Sequence, residues 1–268
     1  MGIVNVTPDS FSDGGRHTGT QAAVEHGLRL VEQGAGLLDV GGESTRPGAE
    51  PVDADAEVAR VVPVIEGLRA VWDGPISIDT MKPAVARAAV AAGATMWNDV
   101  AALSFAPDSL TTAADLGCDV VLMHMQGEPR TMQADPRYAD VVAEVADWLV
   151  ARAEAAVGAG IARERIWLDP GLGFGKTAAH NLALTAHLDR LVATDFPVLY
   201  GASRKRTIQS VDPTATDPLD RLGGSLALAL EAARRGAEII RVHDVRETVQ
   251  ALTLQAAVDA AGLSASRD

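Results

Sequence analysis

Residues 76–99 read ISIDTMKPAVARAAVAAGATMWND. A short apolar run closes on Asp79, an alanine-rich stretch occupies 83–92, Gly93 follows, and a second apolar run closes on Asn98-Asp99. This is a strand, a helix and a strand, with a glycine where a helix C-terminus favours a left-handed residue. The same unit recurs along the chain. Ile3-Val4 runs into Asn5-Val6-Thr7-Pro8-Asp9, and Leu37-Leu38-Asp39-Val40 into Gly41-Gly42-Glu43-Ser44-Thr45-Arg46. Val120-Val121-Leu122-Met123 ends on His124, and Ile166-Trp167-Leu168 on Asp169-Pro170-Gly171. Val198-Leu199-Tyr200 leads to Gly201-Ala202-Ser203-Arg204-Lys205, and Ile239-Ile240-Arg241-Val242 to His243-Asp244.

Helical stretches are expected at 20–34, 54–70, 83–92, 107–116, 139–157, 180–192, 221–235 and 245–261, with Gly34, Gly93, Gly117, Gly160 and Gly236 just beyond five of them. Apolar runs alternating with helices predict parallel strands and crossover helices, buried on both faces. A doubly wound open sheet competes with a barrel. Eight units, all carrying polar residues at the downstream end, favour a closed (β/α)₈ TIM barrel with one chemical face. The expectation is one α/β domain over residues 1–268, starting directly at the first barrel strand.

The chain has 268 residues, 47% of them hydrophobic, enough for one sizeable core. No apolar stretch approaches the roughly 20 residues of a membrane span, and no secretory leader is read at the start. A single cysteine, Cys118, rules out an internal disulfide framework and a multi-cysteine metal site, and fits a cytoplasmic enzyme. The net charge of -13 argues against a nucleic-acid partner. Yet Arg46, Arg204, Lys205, Arg241 and His243 all map to the chemical face, which suggests an anion pocket.

Three constellations carry chemistry. Asp79, Asn98 and Asp169 end strands and should point into the barrel mouth, where a carboxylate needs a partner. They suit a flat heterocycle with a guanidine-like edge, as in pterin or guanine. A single aspartate at a strand end is as readily a helix cap; three in one mouth are not. Arg241 and His243 on the eighth strand, with Thr45-Arg46, the Gly41-Gly42 amides and Asn5, make a diphosphate site, Asn5 offering a neutral oxygen to Mg²⁺. Lys205, after Gly201-Ala202-Ser203-Arg204, is placed to donate to a ring carbonyl or to form a Schiff base. Residues 171–176 resemble a nucleotide loop only superficially, and read as a mobile strand–helix connection.

The stretches Asn5-Val6-Thr7-Pro8-Asp9-Ser10-Phe11-Ser12-Asp13-Gly14-Gly15 and Asp39-Val40-Gly41-Gly42-Glu43-Ser44-Thr45-Arg46-Pro47-Gly48-Ala49 resemble the signatures of the dihydropteroate synthase family. Ile78-Asp79-Thr80, Asn98-Asp99-Val100, Met123-His124-Met125-Gln126-Gly127, residues 169–176, 201–205 and 241–245 continue the match in order over nearly the whole chain. The resemblance implies a TIM barrel that joins 7,8-dihydropterin-6-ylmethyl diphosphate to p-aminobenzoate with Mg²⁺ as cofactor. It implies that Asp79, Asn98, Asp169 and Lys205 hold the pterin, with Met123 near its ring. Thr45, Arg46, Arg241 and His243 would hold the diphosphate, and Asn5 the Mg²⁺. Phe11, Pro47 and Ser203 would shape the p-aminobenzoate pocket, closed by loops bearing Asp9, Asp13 and Arg46. A cytoplasmic homodimer, competed by sulfonamides, belongs to the same picture, with no membrane or nucleic-acid partner.

Departures from the family are few. The sequence starts at the first strand rather than with the short segment that commonly precedes it in the family, Ala101-Ala102 replace a more polar stretch, and Gln209 stands where glycine is usual. Two other readings share the pterin residues. A methyltetrahydrofolate methyltransferase domain has no use for the diphosphate set, and a catalytically silent pterin binder has no need to keep Thr45, Arg46, Lys205 and His243.

Overall fold

The expected apolar runs become eight parallel strands that close on themselves. In the computed structural model, which describes residues 1–6, 15–44, 51–127 and 131–265, six strands pair in sequence order. They are β1 (Gly2–Asn5), β2 (Leu38–Gly41), β3 (Ile76–Asp79), β4 (Met96–Asp99), β5 (Asp119–Met123) and β6 (Ile166–Asp169). β7 (Leu199–Tyr200) pairs with β8 (Ile239–Ile240). Single bridges join the two sheets on both sides: Leu168 to Val198 beside β6, and Gly2 to Val242 beside β1. The Ile3 amide donates to the Val242 carbonyl at 3.1 Å and the Val242 amide to that of Met1 at 2.9 Å, so the ring closes as a TIM barrel.

Around it lie α1 (Gly15–Glu32), α2 (Ala54–Arg69), α3 (Pro83–Ala91), α4 (Ser109–Leu116), α5 (Val141–Gly158), α6 (Ala178–Ala186), α7 (Asp189–Val192), α8 (Arg206–Val211), α9 (Leu222–Arg234) and α10 (Val245–Ala265). Side-chain caps fix several starts. Asp53 accepts from the Ala56 amide at 2.7 Å, Asp140 from Val142 and Ala143, and Thr177 exchanges bonds with His180 in a capping box.

One helical expectation is revised, and one further helix was not expected. The stretch 180–192 is broken: α6 ends at Ala186, capped by His187 (φ -125°, ψ 30°), and the chain turns so that Leu188 and Leu191 are both buried. α8 had no period long enough to announce it; it ends at Asp212, which the following Pro213 holds extended.

Alternation of side chains along the strands sorts the interior into layers. Leu38, Val40, Ile76, Ile78, Trp97, Val120, Leu122, Ile166, Leu168 and Tyr200 face outward into the core beneath the helices. The opposite face starts with an apolar cluster of Leu37, Met96, Val121 and Leu199, packed by Met1, Trp167 and Ile239. Two residues downstream on the same strands stand Asp39, Asn98, Met123, Asp169, Gly201 and Arg241, and on β3 Asp79 stands two residues beyond the buried Ser77. An apolar plug therefore carries a polar layer directly above it.

Beyond β4 the chain turns through Ala102 (φ 49°) and Leu103 (φ 59°), two left-handed residues that are not glycine. Asp99 holds them there, accepting from the Ala101 and Leu103 amides at 2.8 Å each, while Arg152 donates to the Ala102 carbonyl. An L side chain in this region costs about 1–2 kcal/mol. Part of that is returned by the extra unfolded-state freedom of glycine. Ala102→Gly should therefore raise stability by up to about 1 kcal/mol. A lowered midpoint in urea would mean that the Ala102 methyl, fully buried, contributes more by packing than it costs in strain.

Candidate active site

The polar layer is an ion network, not a row of independent donors. Arg241 reaches across the barrel axis, its Nε donating to Asp39 Oδ2 at 2.6 Å and its Nη2 to Asp79 Oδ2 at 2.8 Å. Asn98 Nδ2 also donates to Asp39 Oδ2, at 3.1 Å. Asp39 is fully buried, and its Oδ1 has no partner among the described residues. Sequence reading missed Asp39, because an aspartate inside Leu37-Leu38-Asp39-Val40 looks like an interruption of a strand rather than a site residue.

Burial pushes the Asp79 carboxyl up to about 7; Arg241 opposes this, while Asp39, Glu57 and Asp169 add to it. An ion pair at 2.8 Å and a raised pKa coexist here because one guanidinium is shared between two carboxylates and Asp39 holds the shorter bond. Burial also works against the charge of Arg241, but Asp39 and Asp79 more than offset it, so the guanidinium stays protonated.

On the far side, Asp169 is pushed up by burial, with Lys205 and the Gly171 amide acting the other way. Its Oδ1 accepts from that amide at 2.7 Å. Lys205 stands at the N-terminus of α8 and donates its Nζ to the Leu172 carbonyl, 4.9 Å above the centre of the Phe174 ring. Burial lowers it to about 8, against the pull of Asp169. Met123 sits beside Asp169 in register on β5 and is buried. The structure thus brings Asp79, Asn98, Met123, Asp169, Lys205 and Arg241 around one mouth.

Ser203 and His243 form a second pair, Oγ to Nδ1 at 3.0 Å, and the His243 amide donates to the same Oγ at 3.2 Å. Asn5 ends β1 and is half-buried. Arg204, counted above among the cations of this face, is held bidentately by Asp244. Gln209 accepts from Arg221 at 2.8 Å, a local contact away from the mouth. Asp9, Phe11, Asp13, Thr45, Arg46 and Pro47 lie outside the described residues.

Two features had no signal in the sequence. Lys82 bridges Glu43 and the buried Glu57, 2.6 Å from each, and Glu43 also accepts from the Val52 amide at 2.9 Å. The segment 171–176, expected to be a mobile connection, is instead fastened down. Lys176, 2% exposed, donates into it, Tyr138 bonds the Gly175 carbonyl at 2.8 Å, and Asn181 accepts from the Gly173 amide at 2.9 Å. Gly171 and Gly175 both have φ 64°, and a Cβ on them would lie 2.0 Å and 2.3 Å from the carbonyl oxygens of His124 and Gln126. The glycines permit close docking of this loop on the end of β5, and do not mark flexibility.

Comparison with known proteins places these residues in context. A family model described as pterin binding enzyme matches residues 1–243. The chain is 49% identical over 252 residues to a dihydropteroate synthase of Escherichia coli K12, covering 94% of this chain and 88% of that protein. It is 50% identical over 259 residues to one from Neisseria meningitidis serogroup B, with 94% and 90% covered. A solved Xanthomonas albilineans dihydropteroate synthase with 4-aminobenzoic acid superposes with a TM-score of 0.91 at 57% identity, covering 97% of this chain and 92% of its own. The Yersinia pestis enzyme in a sulfonamide drug complex gives a TM-score of 0.91 at 46% identity, with 97% and 94% covered.

Proposed function

The chain belongs to the pterin-binding enzymes and, within them, to the dihydropteroate synthase family of transferases, and from that premise we propose how its own residues do the work. The reaction is the condensation of 7,8-dihydropterin-6-ylmethyl diphosphate with p-aminobenzoate to 7,8-dihydropteroate and pyrophosphate. The observation that carries this reading is the polar layer itself. Two carboxylates, an amide and a lysine face one mouth above an apolar floor, with a guanidinium at its edge.

Asp169, Asn98 and Asp79 bind the pterin's donor edge, and Lys205 donates to its ring acceptors. Met123 packs against the ring face. Lys205 leaves the Leu172 carbonyl to do so, a short exchange because both flank the same pocket. Arg241 keeps Nη1 for the diphosphate while Nε and Nη2 stay on Asp39 and Asp79. His243, with Thr45 and Arg46, completes that subsite. The C–O bond to the diphosphate breaks and its electron pair leaves with the phosphate. Positive charge spreads into the ring, where the Asp79 carboxylate favours it. The arylamine nitrogen then bonds the methylene carbon and loses a proton to solvent.

Asn5 fits a metal partner of this kind. It offers one neutral oxygen at the mouth, and no group of three His, Cys, Asp or Glu side chains able to cage a metal exists among the described residues. Mg²⁺ suits such a site because it takes most of its ligands from phosphate oxygens and water, and it would neutralise the leaving diphosphate. The proposal includes a cytoplasmic location and a homodimer, for which exposed Leu254 and Val258 on α10 offer apolar surface.

Release of pyrophosphate from the pterin diphosphate tests the reading. It should require both p-aminobenzoate and Mg²⁺ for multiple turnovers, and a folded protein that binds pterin but releases nothing would be a silent binder instead.

A further expected result concerns sulfonamides, through the p-aminobenzoate pocket assigned to Phe11, Pro47 and Ser203 with the loops of Asp9, Asp13 and Arg46. Ser203 is bonded to His243, so anion binding at His243 fixes one wall of that pocket. Loops that finish a barrel site on ligand binding act in the same direction. Calorimetry should show weak sulfonamide binding to the unliganded protein and at least about tenfold tighter binding with pyrophosphate and Mg²⁺ present, roughly 1.4 kcal/mol of coupling. Equal affinity in both conditions would sink the ordering step.

A further inference from the structure

Lys176 is a buried cation that the reaction scheme above does not use. It is 2% exposed and forms no ion pair among the described residues. Its Nζ lies 3.1 Å from the His124 carbonyl, 3.1 Å from that of Gly171, 3.0 Å from that of Phe174, and 2.9 Å from His124 Nδ1. Lysines are rarely this buried without a partner charge, because an ammonium loses its hydration. An ammonium has three protons, and four acceptors surround it, the three carbonyls and the His124 ring nitrogen, so the protons are shared among them.

Those carbonyls belong to two different loops. His124 ends β5, next to Met123; Gly171 and Phe174 belong to the connection after β6. That connection supplies the Gly171 amide to Asp169 and the Leu172 carbonyl and Phe174 ring to Lys205. The ammonium therefore sits at the junction that sets Asp169, Lys205 and Met123 relative to one another. A neutral side chain there would leave three carbonyls of the cradle directed at one another.

We propose that Lys176 is a positioning residue for the pterin half of the site, its ammonium clamping the loop after β6 onto the end of β5 so that Asp169 and Lys205 meet the ring together. This rests on the pterin-binding reading above and deepens it. The charged and titratable groups facing Lys176 are His124, Asp169 and Lys205; the Tyr138 ring lies tilted against His124, Trp148 meets it edge-on, and His180 meets Tyr138 edge-on. Burial lowers Lys176 to about 7, while Asp169 raises it and Lys205 lowers it, so the charged clamp is complete below neutral pH and weakens above it. His124 is lowered to about 3 by burial and by Lys176, so it stays a neutral acceptor.

The test measures a 6-hydroxymethylpterin and Mg²⁺-pyrophosphate as separate ligands, on the wild-type chain, Lys176→Met and Lys176→Gln. Pterin affinity should fall at least tenfold in the methionine variant and less in the glutamine variant, which keeps two N–H donors. Pyrophosphate affinity should change less than twofold in both. In turnover, KM for the pterin diphosphate should rise while KM for p-aminobenzoate stays put. Equal loss of both ligands, or unchanged pterin affinity in a folded variant, overturns the proposal. Failure of both variants to fold assigns Lys176 to stability and also overturns it. A wild-type chain that binds no pterin is a different outcome, since it removes the functional reading itself.

Discussion

Arg241→Ala should destabilise the whole barrel as well as silence the site. The sequence alone suggests a selective loss of diphosphate binding. The structure instead has this guanidinium neutralising two carboxylates, Asp39 and Asp79, inside the barrel. Removing one partner from a buried ion network costs about 3–5 kcal/mol, because the charges left behind have nowhere to go. That is a large share of the roughly 5–15 kcal/mol that holds a domain together. The loss should depend on pH with a definite sign. Asp79 already titrates near 7 with Arg241 present, and without it the folded-state pKa moves higher still. A carboxyl raised in the folded state binds more protons folded than unfolded, so stability falls as pH rises from the unfolded value near 4 up through the folded one. Urea titrations should therefore show a larger deficit at pH 8 than at pH 5.5, partly recovered by adding Asp39→Asn. A variant as stable as wild type at pH 8, or a deficit that does not change with pH, would refute the network.

Asp169→Asn should leave the barrel folded and cripple the pterin site. Asparagine keeps an oxygen for the Gly171 amide, now 2.7 Å from Asp169 Oδ1, so the loop retains its anchor. What disappears is a charged acceptor for the ring, worth about 1.5–3 kcal/mol, or roughly tenfold to more than a hundredfold in pterin affinity. A second consequence follows for Lys205. Asp169 is the charge that most raises the Lys205 pKa against burial, so without it Lys205 should lose its proton below its present value of about 8. The alkaline limb of the kcat/KM profile for the pterin substrate should shift to lower pH, with the p-aminobenzoate KM little changed. Wild-type pterin affinity by calorimetry in the folded variant would remove Asp169 from the site.

These two substitutions also separate what one reads in a sequence from what one reads in a fold. Asp79, Asn98 and Asp169 were legible because each closes an apolar run, and a barrel gathers strand ends into one mouth. Arg241 and His243 were legible by the same rule, and both are at that end. The pairing of Arg241 was not, nor was its closer partner. Asp39 is 202 positions away, inside a run that reads as plain strand. Only the closure of β8 against β1 brings it within 2.6 Å.

The sequence by itself determined the number of strand–helix units, their parallel direction and most of the polar residues that the strands gather at their downstream ends. Each of these depends on local periodicity or on where a run stops. Tertiary structure decided the charge pairing and the order of the loops. Gly171, Phe174 and His124 give no sign in sequence that their carbonyls converge on Lys176, and the glycines between them read as freedom. They lock because two loops, from β5 and β6, pack at distances only glycine allows around one buried ammonium. Which side chains a strand end meets depends on its neighbours in the ring, and no local pattern records them.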